Sequence, residues 1–402
     1  MQPLSIDQLP DAAPLPAPAD LAALNRGETR LVFADVLRGL AAAMVVVAHY
    51  GEVYVYHPDI AAVALNAPAL AIGGPGWVQA ILRLFNFGVL SVGLFFLISG
   101  FVIPISLTRY SGGAFAIARF FRLMPTYLFA FAASVAMVNA AARFFGAHAP
   151  FSLGDYIANA LLVPDLFGAT PLVNGAWTLL IEIKFYLLVA LMAGPIRRGA
   201  VWPALAWGVF VFCCYGALWM NCRGAGVACW NGYGWFFGSF GWQPAFTVFM
   251  MIGVVFHAHF IGALDARRAL LAGGALMALF AAAWPMTGFL AMNGNQTPSY
   301  GVALAVFLAA YSFRARIGLA PAMRFLANIS YPLYLLHFTV GMTAMRLLAE
   351  TGLPYLVYMP LVLACVVATS YGAHRWIEAP GMAYGKRLAR GFDRKVLHAS
   401  QI

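Results

Sequence analysis

Apolar residues run through this chain in long stretches, punctuated by short clusters of Arg, Pro and Gly. Stretches near 34–54, 84–106, 123–143, 175–194, 200–220, 240–260, 268–288, 299–313, 325–348 and 355–374 stand out. Each approaches the roughly 20 apolar residues that a helix needs to cross a bilayer, the eighth being the shortest. The pattern predicts an all-α, polytopic integral membrane protein of about ten transmembrane helices. There is no repeat at a fixed period and no heptad pattern. Residues 1–30 differ: Asp7, Asp11 and Asp20 stand among many Pro and Ala, with no apolar core behind a basic start. That segment reads as a disordered cytoplasmic tail, not a signal peptide. The expected division is therefore a tail at 1–30, a ten-helix membrane domain at 31–390 and a basic tail at 391–402.

Composition strengthens this reading. Of 402 residues 63% are hydrophobic and only 9% charged, against about 25% charged in soluble proteins. The net charge of +10 points to nucleic acid only if its placement is ignored. The cations cluster at the ends of apolar runs, which makes the lipid bilayer the expected partner and excludes nucleic acid. When the loops are assigned alternately to the two sides, nineteen of the 24 Lys and Arg fall on one side. The other side receives only Arg83, Arg143, Arg223 and Arg346, and Lys184 lies within a span. This bias puts both termini in the cytoplasm and favours an even number of spans. The five cysteines form no metal pattern. Cys213, Cys214 and Cys365 sit in apolar runs as small core residues, while Cys222 and Cys229 share a loop that holds a disulfide if it faces an oxidising compartment.

Ionisable residues inside apolar spans carry the functional information, because a charge in lipid is costly. Arg38 and His49 are eleven residues apart, close to three helical turns, so they share one face about 16 Å apart along the axis. Counting from the span ends puts His49, Glu182 and His337 at a similar level in the outer half of the membrane, where they can line one polar pocket. The bland alternative is that each satisfies a helix contact of its own. Lys184, two residues from Glu182, faces away from it. Arg119 and Arg122 share a face at the start of the third span, and two guanidiniums together suit a phosphate-bearing ligand. Taken alone, such a pair is explained more simply by positive-inside anchoring. His257 and His259 point in different directions, which argues against a metal site. Ser99-Gly100, a small pair in a bulky span, favours close helix packing.

Several ordered segments resemble the acyltransferase type 3 family of integral-membrane O-acyltransferases. They are Asp35-Val-Leu-Arg38-Gly39-Leu-Ala with its spacing to His49, Phe95-Phe-Leu-Ile-Ser99-Gly100-Phe101, and Arg119-x-x-Arg122 with Pro125 and Tyr127. Trp177-Thr-Leu-x-x-Glu182-x-x-Phe185-Tyr186, Ser330-Tyr331-x-x-Tyr334-Leu-x-His337 and Glu378-Ala-Pro380 complete the set. The likeness spans about 33–390. It implies a cytoplasmic acyl-CoA donor, acetyl-CoA in the first instance, with succinyl or longer groups open. It also implies a hydroxylated acceptor, a glycan or lipid-linked saccharide, and a bacterial inner-membrane location. Catalytic importance falls on His49 with Glu182 in support, and donor contacts on Arg38, Arg119 and Arg122. His337, Trp177 and Tyr186 are candidates for acceptor contact, and no metal is implied.

The residues accommodate that chemistry. His49, with an ordinary pKa near 6.5, suits a general base, and Glu182 can orient its ring as the acid of a hydrolase triad does. The competing class is a proton-coupled transporter or flippase that uses His49 and Glu182 as a proton relay. Against it, the chain shows no inverted repeat and few matched helix breaks.

Overall fold

Long runs of Leu, Ala, Val and Phe satisfy their backbone groups within helices, the only open-ended arrangement that lipid tolerates. The computed structural model describes residues 31–147, 151–221, 241–287 and 296–399, and among these it is helical with no strand. The N-terminal tail and the Cys222–Cys229 loop lie outside the described residues. We number the principal helices α1 (Val32–Tyr56), α2 (Phe87–Arg109), α3 (Gly112–Phe144), α4 (Ala176–Leu191), α5 (Trp202–Asn221) and α6 (Gln243–Phe260). They continue as α7 (Ala266–Ala283), α8 (Thr297–Ser312), α9 (321–349), α10 (Tyr355–Ala373) and α11 (Ala379–Ala399). Each of the ten expected spans meets a helix. By length and apolarity, however, only seven candidate spans stand among the described residues, and α4, α8 and α9 are not among them. The expected tail boundary at 391 falls inside α11, which runs unbroken to Ala399.

Helix α6 is the centre of the bundle, buried along its length except at Pro244 and His259. It packs most closely on α2, and small residues make that possible. A β-carbon on Gly100 would stand 1.9 Å from the Met250 carbonyl oxygen, and one on Gly253 would stand 2.5 Å from the Leu97 oxygen. The two backbones therefore touch where Gly100 faces Gly253, as the Ser99-Gly100 pair led us to expect. Gly39 plays the same part between α1 and α9, where its β-carbon would meet the Met323 carbonyl at 2.9 Å. The periphery carries exposed Val209, Phe210, Leu270, Leu271, Leu356 and Leu361, side chains suited to lipid contact. At 33 residues, α3 is about 50 Å long and outreaches a hydrocarbon core of ~30 Å.

Among the described residues there are three wide turns with i to i+5 hydrogen bonding: Val47–Val53 in α1, His337–Met342 in α9, and His374–Glu378 between α10 and α11. In the first, the Tyr54 N–H donates to the His49 carbonyl. Every one of these turns holds a buried or half-buried ionisable side chain, and wide turns of this kind gather at functional sites.

Helix α4 does not begin at the bundle surface. Its lead-in runs through Pro164, Gly168, Pro171 and Gly175, residues that break helices. Buried Asn159 satisfies this irregular backbone, donating to the Thr170 carbonyl at 2.8 Å and accepting from the Leu172 N–H at 2.9 Å. Thr339 adds a hydrogen bond to the Leu172 carbonyl at 3.3 Å and accepts one from the Asn174 N–H at 3.3 Å. Non-helical backbone at membrane depth is tolerated when protein covers it in this way. Lys184 is tied back to the same lead-in through Asp165, 2.5 Å away, and also donates to Gln243.

Candidate active site

Two groups of side chains define the site, and they lie at different levels. The first is a pair of imidazoles. His49 Nδ1 stands 2.8 Å from His337 Nε2, and the rings are 4.9 Å apart between centroids. Phe338 closes edge-on over His49 at 4.7 Å. His337 is 1% exposed, whereas His49 is half-buried.

Hydrogen-bond logic fixes the tautomers of the neutral pair. His337 Nδ1 is 3.0 Å from the Leu333 carbonyl oxygen. A carbonyl only accepts, so this nitrogen carries the proton, and Nε2 of the same ring is left as an acceptor. His49 must then donate from Nδ1. Its Nε2 keeps a free lone pair, the requirement for taking a proton from a substrate.

The second group lines a cavity of about 300 Å³. Five of its lining side chains are cations, namely Arg38, Arg109, Arg119, Arg122 and Lys386, and Glu182 is the one carboxylate among them. Arg38 pairs with Asp35 at 3.2 Å. Arg119 reaches Ser106 and lies between the rings of Phe115 and Tyr186, 5.3 Å from each centroid. Arg122 donates to the Met382 sulfur at 3.4 Å. Glu182 accepts from Tyr186 Oη at 2.5 Å and from Ser99 Oγ at 3.3 Å. Arg109 and Lys386 are exposed, so the cavity meets the surface there. At the other end stands Tyr334, bonded to Thr178 at 3.0 Å and packed by Phe95 at 5.7 Å. Its ring lies 5.7 Å from that of His337. Tyr334 is thus the wall between the cavity and the histidine pair.

The structure brings His49 and His337 together and gathers Arg38, Arg119, Arg122 and Glu182 round one cavity. It does not bring Glu182 to His49, as the residue counts had suggested. The cause is the late start of α4. Helices α2 and α4 run in the same direction, since Arg197, just after α4, bonds the Leu107 carbonyl at 2.8 Å near the end of α2. Ser99 lies twelve residues into α2 and Glu182 six into α4. Their contact puts the first turn of α4 about 9 Å deeper than that of α2. Glu182 is displaced by the same amount towards the arginines.

Trp177 and Tyr186 do not line the cavity. Trp177 packs on Trp242 at 5.5 Å and Phe246 at 5.9 Å, and Tyr186 stands behind Glu182. Sequence reasoning missed Tyr334, Ser99 and Lys386 as site residues. The signals were present: Ser330, Tyr331, Tyr334 and Leu335 share a helical face, as do Met382 and Lys386 four residues on. His257 is buried and packs edge-on against Phe101 at 6.0 Å. Among the described residues no group of three or more His, Cys, Asp or Glu is placed to hold a metal ion.

A family described as an acyltransferase domain, type 3, matches residues 31–375. No curated protein and no solved structure matches the chain. The helices, the paired imidazoles and the cationic cavity all fall mainly within the matched segment, and on that match this chain belongs to the type 3 acyltransferase family, as a multi-pass membrane acyltransferase.

Proposed function

We propose that the protein transfers an acyl group, acetyl in the first instance, from cytoplasmic acyl-CoA to a hydroxyl of a glycan or lipid-linked saccharide, at a bacterial inner membrane. The observation that carries this reading is the single cavity that joins a cluster of cations at one end to the wall of a histidine pair at the other. Coenzyme A has the matching polarity, with phosphates at one end and an uncharged arm ending in a thioester at the other. Both termini lie on the cytoplasmic side in this arrangement, as does the mouth at Arg109 and Lys386.

The chemistry follows from the tautomers. His49 Nε2 takes the proton of the acceptor hydroxyl while the oxygen attacks the thioester carbon. The tetrahedral adduct collapses with cleavage of the carbon–sulfur bond, and the departing thiolate receives the proton from the imidazolium. His337 accepts from His49 Nδ1–H throughout and so fixes the orientation of the base, the part first expected of Glu182. Tyr334 must swing aside for the thioester to reach His49. Glu182 instead offsets part of the positive charge around the arm and holds Ser99 and Tyr186.

Purified protein in detergent or nanodiscs, given acyl-CoA labelled in the acyl group and a membrane extract as acceptor, tests this. Wild type should consume donor and label one acceptor. His49→Ala should bind donor normally and lose about 10² to 10⁴ in rate. Full activity of that variant would remove His49 from the chemistry.

A further inference from the structure

Lys386 stands on α11, outside the segment 31–375 that the family match covers, yet it lines the cavity with Arg109. Its position is fixed on both sides. One turn earlier Met382 contacts Arg122 at 3.4 Å, and Tyr384 packs edge-on against Phe121 at 5.2 Å. Two turns later Asp393 accepts from the Ser111 N–H at 3.3 Å and also from its hydroxyl, at the start of α3. Helix α11 is thus built onto the mouth of the site.

The charges that act on Lys386 are those of Arg122, Arg390, Arg109 and Arg119, all cations. Among the described residues neither Lys386 nor Arg109 has a hydrogen-bond or ion-pair partner. Like charges held this close are unfavourable unless an anion sits between them. Arg119 and Arg122, half-buried, lie further in than exposed Arg109 and Lys386. Two tiers of cations fit a ligand with two separate phosphate groups, the outer one farther from the reacting end. Resting on the donor reading above, we propose that Lys386 and Arg109 form an outer subsite for the ribose 3′-phosphate of coenzyme A. Arg119 and Arg122 then take the pyrophosphate. Discrimination between phosphorylated and dephosphorylated donors therefore rests in part on a helix beyond the family segment.

Calorimetry on the purified full chain, with coenzyme A and 3′-dephospho-coenzyme A as the two probes, tests this. Wild type should prefer coenzyme A by about tenfold or more, as charge-assisted hydrogen bonds allow. Lys386→Gln should abolish most of that preference by weakening coenzyme A alone, and Lys386→Arg should retain it. Arg387→Gln, an exposed neighbour that does not line the cavity, should alter neither affinity. Equal weakening of both probes by Lys386→Gln, or no weakening of either, would overturn the subsite. If wild type bound neither probe, the donor reading itself would fall.

Discussion

At the residue scale, His49, the base of the proposed reaction, meets a second imidazole where a hydrolase triad uses a carboxylate. A neutral imidazole holds the His49 tautomer through one 2.8 Å bond without placing a full charge inside the apolar bundle, where charge is costly. His337→Ala should leave that proton donor unmatched, with kcat falling about 10²-fold or more and donor affinity unchanged. His337→Gln, whose amide oxygen can accept the same bond, should recover part of the rate. Glu182 has the opposite expected signature. Glu182→Gln can keep the bonds from Ser99 and Tyr186 while removing a negative charge from a cavity of cations. Donor binding should tighten, by up to about tenfold or ~1.4 kcal/mol; binding weakened by that factor would contradict the placement of Glu182 with the arginines. Tyr334→Trp should obstruct the deep end of the cavity. Acyl-CoA should then lose turnover as the acyl chain lengthens, whereas free coenzyme A should bind as before.

At the scale of elements, the contact of α2 with α6 holds the cavity wall in place. Gly253→Val puts atoms where the Leu97 oxygen and the Phe101 nitrogen lie, each 2.5 Å from an added β-carbon. We expect a cost of about 1–3 kcal/mol or misfolding, read as a lower melting temperature in detergent, while Gly274→Val, with nothing within 4 Å of its β-carbon, should change little by this mechanism. The lead-in to α4 is pinned by Asp155. Its carboxylate accepts from the Ser152 N–H and hydroxyl at 2.8 Å each and from the Thr170 N–H at 3.0 Å. These bonds, the Ser152 backbone first, hold the Asp155 carboxyl below its ordinary 3.8. The tether is thus fully present above that value and is lost as pH falls through the lower folded value. Backbone hydrogen exchange over 164–175 should accelerate on acidification below about pH 4 relative to the intrinsic rate, and Asp155→Asn should remove that extra acid response.

How much was legible in the sequence also divides by scale. The helices were legible because each apolar run carries its own signal, and the common level of His49 and His337 followed from residue counts along two continuous helices, whereas the direct bond between the two rings did not. The position of Glu182 was not legible. Counting assumed that α4 starts at the surface, whereas Pro164, Gly168, Pro171 and Gly175 let the chain enter the bundle before turning helical. The wide turns at His49, His337 and Glu378 escaped as well, because one extra residue per turn leaves no mark on a hydrophobic pattern.

At the scale of the whole molecule, the proposed path carries a donor held by cations at one end until its thioester reaches His49 behind Tyr334. A density map of the protein with a non-transferable thioether analogue of acyl-CoA tests that path most directly. It should show phosphate density against Arg119 and Arg122, the Tyr334 ring displaced, and the acyl carbon close enough to His49 Nε2 to leave an acceptor oxygen about 3.5 Å from both. An acyl group that stays on the arginine side of an unmoved Tyr334, with Glu182 as the closest base, would contradict it.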